Sequence, residues 1–452
     1  MKTDVNMIDF YRWTWLRMVA VALIAAGTLA ACTNDDEPVI PVERSYTDPA
    51  VDLKTFQDYV LSAPHGWEGT LSPQPGKMYQ VFFELDDQGK ATLYTDADTT
   101  TAKIATTTGY RIETTQKVNA SLIFEAGSNL DRIQIAGAQR KVDLIYSVRF
   151  VQGDTLRLLG NEFGDELVLV KASADRRNRY AAHALKNSLK NISAYMSTVR
   201  YFYLQPEPDK LIQLMMNPLS RDIYVTYLNQ GAKFFGSDYA YSLDGIALHA
   251  PLEATGYEAT EIFWDEQARV LYTYYNQNRV DLKTSPIPVI PLHYLLGNEY
   301  PPGAVMLSSY LEKLPGWSVK FQTLWQKDDN ALTAQEIALY YIIFDLHVDT
   351  NKMDLYVYYV IDDKMHRGKF PYAFTKTADG IFDFSPLRID DKDEDAADAH
   401  FIDGKMPNIF NVVNNHRFHI EFFDAYAMLG GVIPQYISVD DPDIYFTGYF
   451  YN

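Results

Sequence analysis

The sequence YAYSLDGIALHAPL at residues 239–252 returns, two residues longer, as YAFTKTADGIFDFSPL at residues 372–387. Both copies contain an aromatic-Ala-aromatic run, an Asp-Gly-Ile tripeptide and a Pro-Leu pair, in the same order. Asp-Gly is a strong signal for a tight turn between strands, because glycine takes positive φ without steric cost. We therefore predict that Asp244-Gly245 and Asp379-Gly380 are equivalent reversals in a duplicated unit.

The sequence on both sides of these copies extends the match. An aromatic strand precedes each copy, IYVTY at residues 223–227 and LYVYY at residues 355–359. A short apolar-acidic tripeptide follows each copy, FWD at residues 263–265 and FID at residues 401–403. Aromatic residues pack well on a pleated, half-buried surface, so each unit is predicted to be a meander of strands.

The N-terminal part of the chain joins this pattern through other elements. YQVFFEL at residues 79–85 parallels YYIIFDL at residues 340–346. Ahead of each lies a helix-like run, at residues 56–63 and 306–314, that stops at a proline and a Gly-Trp pair. Proline cannot continue a helix and glycine permits the reversal, so a helix is predicted to introduce each meander.

The middle unit opens with the clearest helical pattern of the chain. Apolar residues recur at steps of three and four and form one stripe, made of Leu185, Leu189, Ile192, Met196 and Val199. A linker to the next unit is predicted from five prolines and a glycine, Pro286, Pro288, Pro291, Pro301, Pro302 and Gly303. The predicted fold class is α+β, mainly antiparallel β, with three strand-rich, repeat-like units at residues 48–174, 175–298 and 299–452.

Residues 1–47 are predicted to be a leader and a tether. Cationic residues precede an apolar run at residues 18–31, which is shorter than the roughly 20 residues that span a bilayer. It ends in Leu-Ala-Ala directly before Cys32. The pattern is typical of a lipoprotein signal peptide at residues 1–31, with Cys32 as the lipidated first residue of the mature protein. An uncleaved anchor helix is the alternative.

The acidic tether at residues 32–47 extends the targeting prediction. Asp35-Asp36-Glu37 resembles the export tag that sends lipoproteins to the outer surface of Bacteroides-type bacteria, although a solvated, disordered tether explains these acids equally. We expect the protein to be anchored by lipid in the outer membrane, facing outward.

The composition narrows the classes of function. The whole chain has a net charge of −19, and the signal peptide itself is cationic, so the mature protein is still more acidic. Such a surface repels phosphate backbones, and we expect no nucleic-acid partner. Cys32 is the only cysteine, which excludes internal disulfides, thiolate catalysis and cysteine-ligated metals.

Three further stretches carry a family resemblance. They are Gly66-Trp67 after the first helix, the strands around GYRI at residues 109–112 and LIFE at 122–125, and residues 156–171. With them the chain resembles a lipoprotein family of Bacteroides-type bacteria, the domain of unknown function 4302. The resemblance implies an accessory lipoprotein near an outer-membrane nutrient importer. It implies no catalytic or ligand-binding residues.

Two clusters are weak candidates for a metal site. Asp391, Asp393 and Asp395 have the spacing that begins a calcium loop, but Ala396 and Ile402 replace the glycine and the bidentate Glu that such a loop requires. We therefore expect no cofactor, leave a looser calcium site open, and predict a mobile, solvated acidic loop as the ordinary interpretation.

The second cluster combines His419 and Glu421 with the nearby His416. Polar and apolar residues alternate from Arg417 to Phe422, which predicts a strand. On a strand His419 and Glu421 share one face and His416 points to the other. Two solvent-facing strand residues are then a simpler interpretation than a zinc site.

The sequence is compatible with two classes of function, a binding protein and a hydrolase. The sequence contains no nucleophile elbow, no zinc-protease helix and no phosphate loop. The first hypothesis is non-catalytic binding of a nutrient, glycan or partner protein beside an outer-membrane transport protein. The alternative is a surface hydrolase with carboxylate chemistry. Trp67, Trp264 and Trp317 could stack on sugar rings, but their matched places in the repeats favour core packing.

Overall fold

Three β-sheets form the architecture of the protein. The computed structural model describes residues 49–115, 119–135, 140–254, 256–307 and 314–451. The three sheets belong to one compact unit, Asp52–Asn452. Nearly every strand pairs antiparallel with its neighbour in sequence, which confirms the predicted fold class of mainly antiparallel β with helices.

The first sheet is a closed barrel of eight strands preceded by helix α1 (Pro49–Val60). β1 closes the barrel by pairing with both β2 and β10. The indole of Trp67 is buried in its core and donates a hydrogen bond to the carbonyl of Val60 at 2.8 Å, which ties α1 to the barrel. The strands are β1 (Trp67–Ser72), β2 (Tyr79–Leu85), β3 (Lys90–Thr95), β4 (Thr106–Thr115), β5 (Asn119–Phe124), a separate hairpin of β6 (Gln134–Ile135) and β7 (Arg140–Lys141), β8 (Ile145–Gln152), β9 (Thr155–Gly160) and β10 (Glu166–Lys171).

The second sheet has nine strands and follows helices α2 (Ala174–Ala181) and α3 (Ala184–Met196). The predicted apolar stripe of α3 is buried at Leu185, Leu189, Ile192 and Met196, whereas Val199 lies beyond the end of the helix. The strands are β11 (Tyr201–Glu207), β12 (Lys210–Asn217), β13 (Asp222–Leu228), β14 (Ala232–Tyr241), β15 (Gly245–Ala254), β16 (Tyr257–Asp265), β17 (Val270–Tyr275), β18 (Asn278–Asp281) and β19 (Lys283–Ser285).

The third sheet also has nine strands, with helices between some of them. In chain order the elements are β20 (Gly303–Leu307), α4 (Val319–Thr333), β21 (Ala338–His347), β22 (Lys352–Ile361), β23 (Lys364–Lys376), β24 (Ile381–Pro386), α5 (Ala396–Ile402), α6 (Pro407–Asn415), β25 (Arg417–Asp424), α7 (Tyr426–Leu429), β26 (Val432–Ser438), β27 (Tyr445–Thr447) and β28 (Tyr449–Tyr451).

The second and third sheets share one topology. In each, eight consecutive strands form a meander and the ninth strand pairs with the first, β19 with β11 and β28 with β20. The two Asp-Gly reversals join the fourth and fifth strands of their sheets, β14 to β15 and β23 to β24. Their preceding aromatics, Tyr239 and Tyr241 in one sheet and Tyr372 and Phe374 in the other, are all buried. The predicted equivalence of the two reversals agrees with this arrangement.

The two glycines of these reversals are required for different reasons. Gly380 has φ of +83° in a turn, as predicted. Gly245 instead begins β15 without positive φ, and a Cβ there would collide with the backbone of β16 at Ile262. The prediction of positive φ is therefore wrong for Gly245, where close approach of two strands is the constraint.

Two predicted elements of the third unit are wrong. The helix predicted from residue 306 is absent at its start, because Met306 and Leu307 belong to strand β20. The helix of this unit is α4, which follows the Gly-Trp pair. It begins after Ser318, whose hydroxyl accepts a hydrogen bond from the Phe321 amide at 3.1 Å. Phe401 and Ile402 lie in α5, inserted between the fifth and sixth strands, whereas residues 263–265 end the sixth strand of their own sheet. A three-residue match is too short to distinguish the sixth strand from an insertion.

The proline-rich stretch between the second and third units is packed against the protein. Ile290, Leu292, Leu295 and Leu296 are buried in the core of the third sheet. The predicted linker is thus part of a core. Proline prevents regular pairing but does not prevent the apolar residues between the prolines from being buried.

Polar contacts join the sheets. Arg221, at the turn between β12 and β13, binds the fully buried carboxylate of Asp96 at 2.8 Å and so connects the second sheet to the barrel. The Tyr201 hydroxyl lies 3.2 Å from that of Tyr426 and 3.5 Å from that of Tyr300, which connects the second sheet to the third. No helix within the described ranges combines the length and the apolar character needed to cross a bilayer.

Candidate functional site

The outer face of the third sheet carries a cluster of tyrosines. Tyr340 and Tyr341 of β21, Tyr356 and Tyr358 of β22, and Tyr451 of β28 are all half-buried, and we call this surface the tyrosine face. The ring centroids of Tyr341 and Tyr358 are 4.4 Å apart, those of Tyr340 and Tyr341 are 5.6 Å apart, and those of Tyr356 and Tyr358 are 6.5 Å apart. The four rings of β21 and β22 thus form a nearly continuous aromatic surface.

Strand alternation produces this surface. In β22, Leu355, Val357 and Tyr359 enter the core, so Tyr356 and Tyr358 point outward. A register shift between Leu339 and Tyr341 interrupts the ladder of β21 with β22, as a β-bulge does. The bulge leaves Tyr340 and Tyr341 side by side on the surface.

Two phenols of the tyrosine face, those of Tyr341 and Tyr356, have raised pKa values and stay neutral near neutral pH. Burial raises the pKa of Tyr341, and the neighbouring phenols of Tyr358, Tyr451 and Tyr340 raise it further. Burial also raises the pKa of Tyr356, and the carboxylate of Asp354 adds to that effect. Each such hydroxyl can therefore donate as well as accept a hydrogen bond.

Two cations of β23 border the tyrosine face. Arg367 pairs in register with Tyr358, and Lys369 with Tyr356. The Arg367 guanidinium lies 5.4 Å from the centroid of the Tyr356 ring. Lys369 contacts the carboxylate of Asp354 at 3.3 Å, and that carboxylate also lies 3.4 Å from the His347 ring. Charged groups therefore surround the rings.

The acidic segment supplies the other partners of these cations. Arg367 contacts Asp395 at 2.7 Å and Glu394 at 3.0 Å, and Lys369 contacts Asp393 at 3.3 Å. Asp395 is buried and Asp393 is half-buried. The prediction of a wholly solvated loop is wrong for these two residues, because cations from a distant strand compensate their charge.

The three calcium candidates are held by different cations. Asp391 is exposed and contacts Arg388 at 2.9 Å and His400 at 3.0 Å, away from the partners of Asp393 and Asp395. Over the residues that the structure describes, no three His, Asp or Glu side chains meet in a way that could hold a metal ion.

The second pair of metal candidates lies on β25, as the alternation predicted. His419 and Glu421 are two residues apart on this strand, between the buried Phe418, Ile420 and Phe422. His416 precedes the strand, and its Nδ1 lies 2.8 Å from the Ser438 hydroxyl.

A groove of about 650 Å³ lies at the end of β21. Residues 297–302 and 346–349 line it, including Glu299, His347 and Asp349. Burial raises the pKa of Glu299. A hydrogen bond that the Thr226 hydroxyl donates to the Glu299 carboxylate at 3.4 Å partly opposes this shift. His347 belongs both to this groove and to the charged border of the tyrosine face.

Sequence reasoning did not identify the tyrosine face as a site. The available signal was the LYVYY strand itself, in which two tyrosines share a face. The three tryptophans that are candidates for stacking on sugars pack against cores, Trp67 fully and Trp264 and Trp317 in part. Cys32, the predicted signal peptide and the predicted acidic tether lie outside the described residues.

Comparison with known proteins gives one family match. Residues 51–266 match the model described as "Domain of unknown function (DUF4302)", which supports the resemblance over that stretch. The matched residues cover the barrel and most of the second sheet and end before the tyrosine face. No curated protein matches the chain.

Two solved structures show only weak likeness. The DNA polymerase sliding clamp from Pseudomonas aeruginosa is 8% identical, with 90% of this chain and 98% of that chain covered and a TM-score of 0.14. The DNA polymerase III subunit beta from Borrelia burgdorferi is 9% identical, with 90% and 97% covered and a TM-score of 0.12. At these TM-scores neither likeness carries an argument about fold or function.

Proposed function

We propose that this protein is a lipid-anchored, non-catalytic glycan-binding protein of the outer cell surface, acting beside an outer-membrane importer. The observation that carries this proposal is the tyrosine face, where five half-buried rings lie on one sheet among charged side chains. Support for the anchor comes from the sequence before Cys32.

The chemistry of the tyrosine face suits a sugar. A sugar ring presents C–H groups on its faces and hydroxyls at its edge, so it needs flat apolar surfaces bordered by hydrogen-bonding groups. Tyrosine offers a rigid amphipathic surface at low cost in side-chain entropy. The sugar hydroxyls can form hydrogen bonds with three groups, the hydroxyls of Tyr356 and Tyr358 and the carboxylate of Asp354.

The charge of this surface favours an uncharged glycan. Lys369 and Arg367 are each matched by two carboxylates. The border therefore offers an anionic glycan no unpaired cation, and the net charge of the protein repels such a glycan.

Affinity electrophoresis tests the proposal. Residues 33–452 would be run through gels containing starch, xylan, mannan or polygalacturonate. We expect at least one neutral polysaccharide to retard the protein and Tyr358→Ala to reduce that retardation at least tenfold. Tyr224→Ala is the matched control, because Tyr224 has the same place in the third strand of the second sheet as Tyr356 has in the third strand of its own sheet. Tyr224 is 57% exposed, so its removal should disturb packing little. No retardation in any gel, or equal loss in both variants, would contradict the proposal.

The groove at Glu299 supports a second candidate function, a surface hydrolase. A carboxyl with a raised pKa can act as a general acid, and Asp349 in the same groove could serve as the second carboxylate. Release of reducing ends from a polysaccharide by the wild-type protein, abolished in Glu299→Gln, would establish this function. Binding without products would count against it.

A further inference from the structure

A second aromatic cluster lies on the outer face of the second sheet. Phe263 of β16 and Tyr272 and Tyr274 of β17 have ring centroids 5.4, 5.5 and 5.7 Å apart, and we call these three residues the aromatic triad. Tyr274 is 47% exposed and Phe263 and Tyr272 are half-buried. The rings face away from Ile262 and Leu271, which are buried in the core beneath.

A charged clamp orders the triad. The Arg279 guanidinium lies 4.0 Å from the centroid of the Tyr272 ring. Its Nη1 contacts Asp265 at 2.7 Å and its Nε contacts Asp281 at 2.6 Å. A cation over an aromatic face is attracted by the ring, and two carboxylates fix its position. The clamp covers Tyr272, and Tyr274 is the ring of the triad that remains exposed to solvent.

We infer that the aromatic triad is a second glycan-binding site, which takes an uncharged sugar unit. This inference rests on the proposed function, since it assigns the same ligand class to a second surface. Tyr274 supplies an open ring face, and Asp265, Asp281 and Arg279 supply hydrogen-bonding groups beside it. These are the features that suit the tyrosine face to sugars, reached with different residues on different strands.

The charges of the clamp identify the occupant. Arg279 is matched by two carboxylates, so an anionic sugar finds no free positive charge there. Burial of the clamp against a protein partner would require desolvating these three charged groups, which is costly. A sugar unit on Tyr274 leaves the clamp at its edge, where the charges remain hydrated.

Two sites on one chain would change how a polymer is held. Once one site is occupied, the second binds from a high effective concentration, provided that the polymer spans both. Long chains are then retained more strongly than short oligosaccharides, although each site alone is weak.

Titration calorimetry with maltohexaose, xylohexaose and mannohexaose tests the inference on residues 33–452. We expect at least one hexasaccharide to bind with two sites per chain, and Tyr274→Ala and Tyr358→Ala each to leave one site. The double variant should bind none. Tyr224→Ala is the control and should keep both sites. The Tyr224 ring is 57% exposed but contacts no other described ring. Melting temperatures of the variants would verify that each is folded.

The outcomes separate the two proposals. One site per chain that Tyr358→Ala removes and Tyr274→Ala leaves intact would overturn the second site and leave the proposed function standing. One site that only Tyr274→Ala removes would support the triad and overturn the tyrosine face. Absence of binding to all three hexasaccharides would overturn both.

Discussion

Arg367 holds the buried carboxylate of Asp395 at 2.7 Å, across 28 residues of sequence. The Asp395 side chain is 11% exposed, whereas that of Arg367 is 37% exposed. The pair fastens the acidic segment to the border of the tyrosine face. Like charges lie close together there because a strand of the sheet supplies the opposite charge.

Removing this cation should destabilise the third sheet. In Arg367→Met the carboxylate of Asp395 stays buried without its partner, and we expect a loss of about 1 to 2 kcal/mol, less than for a fully buried pair because Arg367 is partly solvated. Urea unfolding measures the loss. Arg388→Met is the control, since the Arg388–Asp391 pair is exposed, and it should leave the midpoint unchanged. Equal stability of both variants would show that the pair contributes nothing.

The two reversal glycines should respond to different rescues. Gly245→Ala and Gly380→Ala should each lose about 1 to 3 kcal/mol, from overpacking and from an unfavourable φ respectively. At Gly380 the added Cβ also meets the His293 ring, so His293→Ala should recover part of the loss. No side-chain change should rescue Gly245→Ala, because its Cβ meets backbone.

Gly430→Ala isolates the cost of positive φ. Gly430 has φ of +73° and open space around it, so its loss should be about 1 to 2 kcal/mol. A rescue of Gly245→Ala by His293→Ala would contradict the assignment of the two constraints.

His293 should make stability depend on pH below neutrality. Burial lowers the pKa of His293 from 6.5 to about 4, and repulsion from the charges of Lys376 and His419 adds to this effect. The Nε2 atom of His293 has no hydrogen-bond partner among the described residues. As the pH falls from about 6.5 to about 4, the unfolded chain binds a proton that the folded chain does not. The free energy of unfolding is therefore highest above about pH 6.5. It falls by up to about 3 kcal/mol as the pH is lowered to about 4.

Urea midpoints between pH 4 and pH 7.5 measure this dependence. His293→Gln should flatten the slope, whereas His400→Gln, at an exposed histidine, should keep it. An NMR titration that places the pKa of His293 near 6.5 would refute the expectation.

Cys32→Ser should abolish lipidation, since Cys32 alone follows the short apolar run and its small-residue cleavage site. Labelled palmitate incorporation and membrane fractionation measure the result. Incorporation equal to that of the wild type would refute the assignment.

The sequence predicted the strands better than their surroundings. The alternation in residues 355–359 predicts that Tyr356 and Tyr358 share a face. It does not reveal which face is outer, because Tyr359 on the opposite face is aromatic as well. The bulge that adds Tyr340 to the surface depends on the pairing of β21 with β22, which no local pattern specifies.

Contacts between distant segments were the other gap. Asp395 could not be assigned to Arg367, because the spacing of the acids suggests only their mutual repulsion. Helix α5 also escaped prediction, since the FID tripeptide at residues 401–403 imitates the end of a strand. The Asp-Gly reversals were found because turn chemistry is local.

The ninth strands β19 and β28 bear on the order of folding. Neighbouring strands within a meander are close in sequence, so they form by frequent local encounters. β19 pairs with β11, and β28 pairs with β20, although a whole meander separates the two strands of each pair in the sequence. Closing so long a loop is slow. We expect each sheet to grow hairpin by hairpin and to lock last along its first strand. In pulsed hydrogen exchange, amides of β11 and β20 that face β19 and β28 should gain protection after those of β13 and β22.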